Sequence, residues 1–114
     1  MLHIKERDVG GVTVLDLDGS MVGTSGLDPL SHRIKELVAE QRLHVVVNAA
    51  SISVIDSSGV GDLVGSFTML KKAGGSLKVA EPKKMVREVL RIARIPTIIE
   101  VFDTEDEAVK AFAK

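Results

Sequence analysis

The stretch Val54-Ile55-Asp56-Ser57-Ser58-Gly59-Val60-Gly61 joins an apolar, β-branched run to a segment of helical periodicity. Its reading decides the fold. Just upstream, Val45-Val46-Val47 is a short continuous apolar run, as expected of a strand buried on both faces. Downstream, Val60, Val64, Phe67 and Leu70 recur at helical spacing. Lys71 and Lys72 followed by Gly74-Gly75 give a natural helix stop. A strand that passes directly into a helix is the repeating unit of α/β proteins.

Outward from this junction the alternation continues. Val12 to Leu17 reads as a strand, and Leu2 to Glu6 pairs with it through a Gly10-Gly11 turn. Ser25 and Asp28 have the spacing of a capping box, ahead of a helix on Leu27, Leu30, Ile34, Leu37 and Val38 that runs to about Gln41. Towards the C-terminus, Ser76 to Ala80 is a strand and Pro82 stands near the start of a third helix. The apolar side of that helix is expected on Met85, Val89 or Leu90, and Ile92. Pro96 closes it, Thr97 to Phe102 is a last strand, and Thr104 caps a helix ending near Phe112. The expectation is one α/β domain over residues 1–114, with a mixed, mostly parallel sheet of four to five strands and about four helices. Strand order is not readable from the pattern.

Bulk properties exclude several function classes. With 114 residues, 45% apolar and 27% charged, the chain suits one domain with a core of its own. Its three aromatic residues are all Phe, which argues against a stacking platform for bases or sugars. A net charge of −1 gives no general attraction to nucleic acid, so no direct nucleic-acid partner is expected. Lys83, Lys84, Arg87, Arg91 and Arg94 form a local basic run, read as the solvated face of a helix because no aromatic residues are interleaved. The absence of cysteine excludes disulfides, thiol catalysis and thiolate metal sites. Early charges rule against a signal peptide, and the longest charge-free stretch, Val45 to Ile55, is too short to span a bilayer. A cytoplasmic protein without membrane insertion is the expectation.

The junction itself carries the candidate site. In open α/β sheets, sites form at the carboxyl ends of the strands. Asp56 or Ser57 can cap the helix, whose first turn offers free N–H groups and a partial positive charge. A phosphate on Ser57 would find those donors in place. Gly59 and Gly61 cost about 1 kcal/mol each in a helix. With Gly65 they imply either a flat docking ridge or tight packing on neighbouring elements.

Enzymatic readings fail on spacing. A nucleophile elbow around Ser57 lacks the preceding glycine, since Ile55 stands there. The third glycine of a dinucleotide fingerprint comes one residue late at Gly65, and no Gly-Lys-Ser/Thr exists for a P-loop. Asp16 and Asp18 on one strand, and Asp56 and Asp62 beside the serines, read as a solvated acidic rim and not as a metal site. His3, His32 and His44 have no partner at ligand spacing. No catalytic residue, metal or cofactor is expected.

The run Ile52-Ser53-Val54-Ile55-Asp56-Ser57-Ser58-Gly59-Val60-Gly61 resembles the signature of STAS domains, specifically the stand-alone bacterial anti-sigma factor antagonists. The likeness continues through Lys72-Ala73-Gly74-Gly75-Ser76-Leu77-Lys78-Val79 and the Val89-Leu90, Ile98-Ile99, Val101-Phe102 and Glu107-Ala108 pattern. The resemblance implies a STAS-like layer fold and a switch. The serine after the aspartate, here Ser57, would be phosphorylated by an anti-sigma factor that is itself a serine kinase. The unphosphorylated protein would sequester that factor through Asp56, Ser57, Ser58, Gly59, Val60, Gly61, Asp62 and Gly65, and a PP2C-type phosphatase would reset it. Where the family often has Gly-Glu-Leu-Asp, this chain has Gly19-Ser20-Met21-Val22, so Ser20 and Val22 replace two acidic residues of the partner surface. The alternative is a STAS-type accessory subunit of a transporter or signalling complex that uses the same ridge without phosphorylation.

Overall fold

A two-glycine turn starts the architecture. Gly10 and Gly11 both adopt positive φ (59° and 85°), which a two-residue hairpin requires if its twist is to match that of the flanking strands. The Asp8 carboxylate accepts the Gly11 N–H at 3.1 Å. The turn joins β1 (Leu2–Val9) to β2 (Val12–Met21) in antiparallel register, Val9 opposite Val12 and Leu2 opposite Gly19. The computed structural model describes residues 2–23 and 29–113. The Ser25/Asp28 capping box expected from the sequence therefore lies outside the described residues.

After β2 the chain alternates α1 (Pro29–Ala39), β3 (His44–Ile55), α2 (Ser57–Lys72), β4 (Ser76–Ala80), α3 (Lys84–Ile92), β5 (Val101–Phe102) and α4 (Glu105–Ala111). The sheet order is β1-β2-β3-β4-β5, with every pair after the hairpin parallel. Strand order thus follows chain order, the simplest outcome of short crossovers. This is the mixed, mostly parallel sheet with four helices that the alternation implied.

Adjacent strand residues point to opposite faces, and the core divides accordingly. Leu15, Leu17, Val45, Val47, Leu77 and Val79 pack with Leu30, Ile34 and Leu37 of α1, Leu63 and Leu70 of α2, and Val86 and Leu90 of α3. Val12, Val14, Val46 and Ala80 face the other way and are covered by Ala108, Val109 and Phe112 at the C-terminal helix. Lys78, on that second face, is 8% exposed; its ammonium lies over the Phe112 ring and pairs with Glu100.

Two stretches depart from the sequence pattern. In α3 the buried pair is Val86 and Leu90, while Met85 and Ile92 are 50% and 70% exposed. The expected strand Thr97 to Phe102 shrinks to Val101–Phe102, and Ile95–Thr97 forms a 3₁₀ turn. Ile95 and Ile99 are both buried, and a helical turn brings residues four apart to one side. The Ile98 and Ile99 amides both bond to the Ile95 carbonyl at 2.8 Å. Packing here overrides the β-branched composition.

Candidate partner-binding site

β3 delivers its last residue, Ile55, to the sheet's carboxyl edge, and Asp56 turns the chain into α2. Asp56 is the N-cap, with extended backbone (φ −122°, ψ −170°). Its Oδ1 accepts the Ser58 N–H (3.0 Å), the Gly59 N–H (3.2 Å) and the Ser58 hydroxyl (2.7 Å). Its Oδ2 accepts the Gly23 N–H at 3.1 Å. Bonded by the Ser58 hydroxyl first, then by the Gly59 and Gly23 amides, the Asp56 carboxyl is held below the usual carboxylate range. Two of the N–H donors that the sequence offered to a phosphate are therefore already occupied by Asp56.

The two adjacent serines differ sharply in environment. Ser58 donates to Asp56 and accepts the Gly23 N–H at 3.0 Å, tying the end of β2 to the helix tip. Ser57 is exposed, and among the described residues nothing hydrogen-bonds its hydroxyl.

Gly59 and Asp62 turn inward. A methyl group at Gly59 would lie 2.3 Å from the Met21 carbonyl oxygen and 2.7 Å from Met21 Cβ, so the glycine is what lets β2 approach α2. Asp62 is only 5% exposed. Its carboxylate accepts the Leu30 N–H (3.1 Å), the Ser31 N–H (2.8 Å) and the Ser31 hydroxyl (2.5 Å), capping α1 from the side. The Ser31 hydroxyl also contacts Ser66 Oγ at 3.2 Å. Met21, Gly23, Ser31 and Ser66 thus belong to the support of the site, although no local motif marks them.

On α2, Ser57 and Gly61 are exposed, while Val60, Val64 and Gly65 at helical spacing beside them are half-buried, the two valines packing partly against the core. Val54, 39% exposed, precedes them at the end of β3. A Cβ on Gly61 would meet nothing within 4 Å, and one on Gly65 only Ser31 Oγ at 3.5 Å. Close packing therefore explains Gly59 and does not explain Gly61 or Gly65. Three of the four acidic side chains considered for metal are otherwise engaged: Asp16 pairs with Arg7 (2.6 Å), and Asp56 and Asp62 serve as caps. His44 stacks on Phe112 (4.8 Å between rings) at the opposite end of β3 from Ser57.

The sequence model of the STAS domain matches residues 3–108, nearly the full described span. The chain belongs to the STAS domain family. Among STAS relatives, an anti-sigma F factor antagonist of Paenibacillus polymyxa is 23% identical over 108 residues, covering 94% of this chain and 92% of that protein. The anti-sigma-B factor antagonist of Bacillus subtilis strain 168 is 34% identical over 64 residues, 56% of this chain and 59% of that one. The crystal structure of an anti-sigma factor antagonist from Mycobacterium paratuberculosis superimposes with a TM-score of 0.86 at 19% identity, covering 100% of this STAS domain and 96% of that chain. Among the described residues no helix is long and apolar enough to cross a membrane.

Proposed function

We propose that the chain is an anti-sigma factor antagonist, a partner-binding module whose affinity is set by phosphorylation of Ser57. The carrying observation is the contrast between the two serines: Ser57 is exposed at a helix tip and unengaged among the described residues, while Ser58 is locked between Asp56 and Gly23. The named relatives support the class of function, being antagonists of anti-sigma factors. The partner is an anti-sigma factor that is also a serine kinase, and a PP2C-type phosphatase removes the phosphate. The protein is substrate and binder and carries no chemistry of its own.

Val60, Gly61 and Gly65 form the docking ridge around Ser57. Asp56, Ser58, Gly59 and Asp62 shape it from behind by fixing β2 and α1 against α2. A phosphoryl group adds about −1.5 to −2 charges at pH 7. It would stand beside the Asp56 carboxylate on a surface that docking must dry, and burial of an unpaired charge is costly. Each 1.4 kcal/mol of that cost weakens binding about tenfold.

Intact-mass measurement after incubation with ATP and the cognate kinase tests the reading. One phosphate is expected on the unaltered chain and on Ser58→Ala, and none on Ser57→Ala. Binding of the purified kinase should fall when Ser57 is phosphorylated. Persistent phosphorylation of Ser57→Ala, or equal affinity of both forms, would overturn it.

A further inference from the structure

Three of the four exposed large hydrophobic side chains among the described residues lie in one segment, α3 and the turn after it: Met85 (50%), Ile92 (70%) and Ile98 (51%). Met85 and Ile92 are seven residues apart and so share one side of the helix. Val86 and Leu90 on the neighbouring side anchor α3 to the core, while Met85 and Ile92 keep half or more of their surface in solvent. A cluster of exposed apolar groups rimmed by polar ones marks an interaction surface.

The rim is basic. Between Lys83 and Ile98 there are five Lys or Arg side chains and one acidic residue, Glu88, in a chain whose net charge is −1. Arg87 pairs with Asp103 and Arg91 with Glu88, both in exposed bridges of little energetic weight. Lys83, Lys84 and Arg94 have no ion pair among the described residues. Arg94 also sits in the left-handed region (φ 59°), where a side chain is disfavoured and glycine usual, at the position that ends α3.

We propose that this surface docks an acidic, apolar-studded segment of a second protein, through contacts separate from the Ser57 ridge. Carboxylates of the segment meet the unpaired cations, and its apolar side chains cover Met85, Ile92 and Ile98. Complementary charge would govern encounter and register, and apolar burial would hold the complex. Nucleic acid would use the cations but gain nothing from three aliphatic side chains, and aromatic residues for stacking are absent. An anionic membrane would have to accommodate Glu88, which lies on the helix between Met85 and Ile92, whereas a protein partner can leave its bridge to Arg91 intact.

Photocrosslinking in the cells that make the protein tests this. p-Benzoylphenylalanine is placed at Ile92, or at Lys72 as a control, and adducts are sequenced by mass spectrometry. The expected result is a protein adduct specific to position 92 whose crosslinked peptide is rich in Asp and Glu. That adduct should fall about tenfold or more when Lys83→Glu and Lys84→Glu juxtapose like charges, in a variant whose thermal midpoint is unchanged. It should persist in Ser57→Asp, whose carboxylate weakens docking at the ridge, and that separates this surface from the phosphorylation reading. No adduct above the control, an adduct to nucleic acid or lipid, a peptide without acidic excess, or insensitivity to charge reversal would overturn the proposal.

Discussion

A methyl group at position 59 would collide with backbone, whereas one at position 61 would enter open space. Two glycines two residues apart in one helix should therefore respond oppositely. Gly59→Ala overpacks the α2–β2 contact and is expected to cost about 1–3 kcal/mol. Gly61→Ala gains helix propensity and should stabilise by about 0.5–1 kcal/mol, while lowering affinity for the partner if Gly61 lies in the interface. Urea midpoints of the two variants check this, and the reverse order would refute it. Asp56 offers a second test by NMR titration. Its strongest depressing contact is the Ser58 hydroxyl, so Ser58→Ala should move its pKa upward toward the ordinary value. A depressed folded-state pKa means stability present above the unfolded pKa and lost as pH falls through the folded one. Ser58→Ala should therefore flatten that acid limb, and an unmoved Asp56 pKa would show that the amides alone set it. At this scale the sequence located the helix tip and its two serines. It could not show which hydroxyl was engaged, because the deciding partner, Gly23, lies 35 residues from Ser58. Asp62 read as a surface carboxylate for the same reason: its partners are the amides of another helix.

Elements were legible where one pattern dominated. The Gly10-Gly11 hairpin, the Ser76–Ala80 strand, the Gly74 stop of α2 and the Thr104 cap of α4 all follow from local chemistry. They were illegible where two apolar sets competed. In α3, Met85 with Ile92 and Val86 with Leu90 are both compatible with one buried face, and only the sheet beneath selects the second. What joins distant elements was likewise hidden. Arg7 on β1 bonds Asp16 on β2 at 2.6 Å and Glu105 on α4 at 2.5 Å, and Asn48 on β3 also reaches Glu105 at 2.9 Å. Hydrogen bonds from Arg7 are the first cause holding both carboxyls below their usual range. Stability from this clamp is thus complete above about pH 4–4.5 and fades as pH falls through the depressed values. The groups are about a third exposed or less, so Arg7→Leu should cost only about 1 kcal/mol at pH 7. The variant should also show a shallower loss of urea stability on acidification below pH 4. An unchanged acid slope would remove the clamp from the account.

For the whole molecule, the sheet separates the elements that hold the fold from the exposed tip that presents Ser57. The strands that carry Ser57 to the surface are covered on one face by α1, α2 and α3 and on the other by α4. No bond from the Ser57 hydroxyl to any other described residue enters either core. A phosphoryl group there should leave the fold alone and act only on what docks against it. The expected thermal midpoints of the phosphorylated and unphosphorylated chains differ by less than about 4 °C, the shift that about 1 kcal/mol produces in a domain of this size. Their affinities for the partner should differ at least tenfold, or about 1.4 kcal/mol. Differential scanning calorimetry of the two forms, beside titration with the purified partner, separates the cases. A midpoint shift as large in free energy as the affinity change would mean that phosphorylation acts by loosening the α2 tip, where Asp56 and Ser58 hold Gly23. The switch would then be conformational, and charge repulsion at the interface would no longer be needed to explain it.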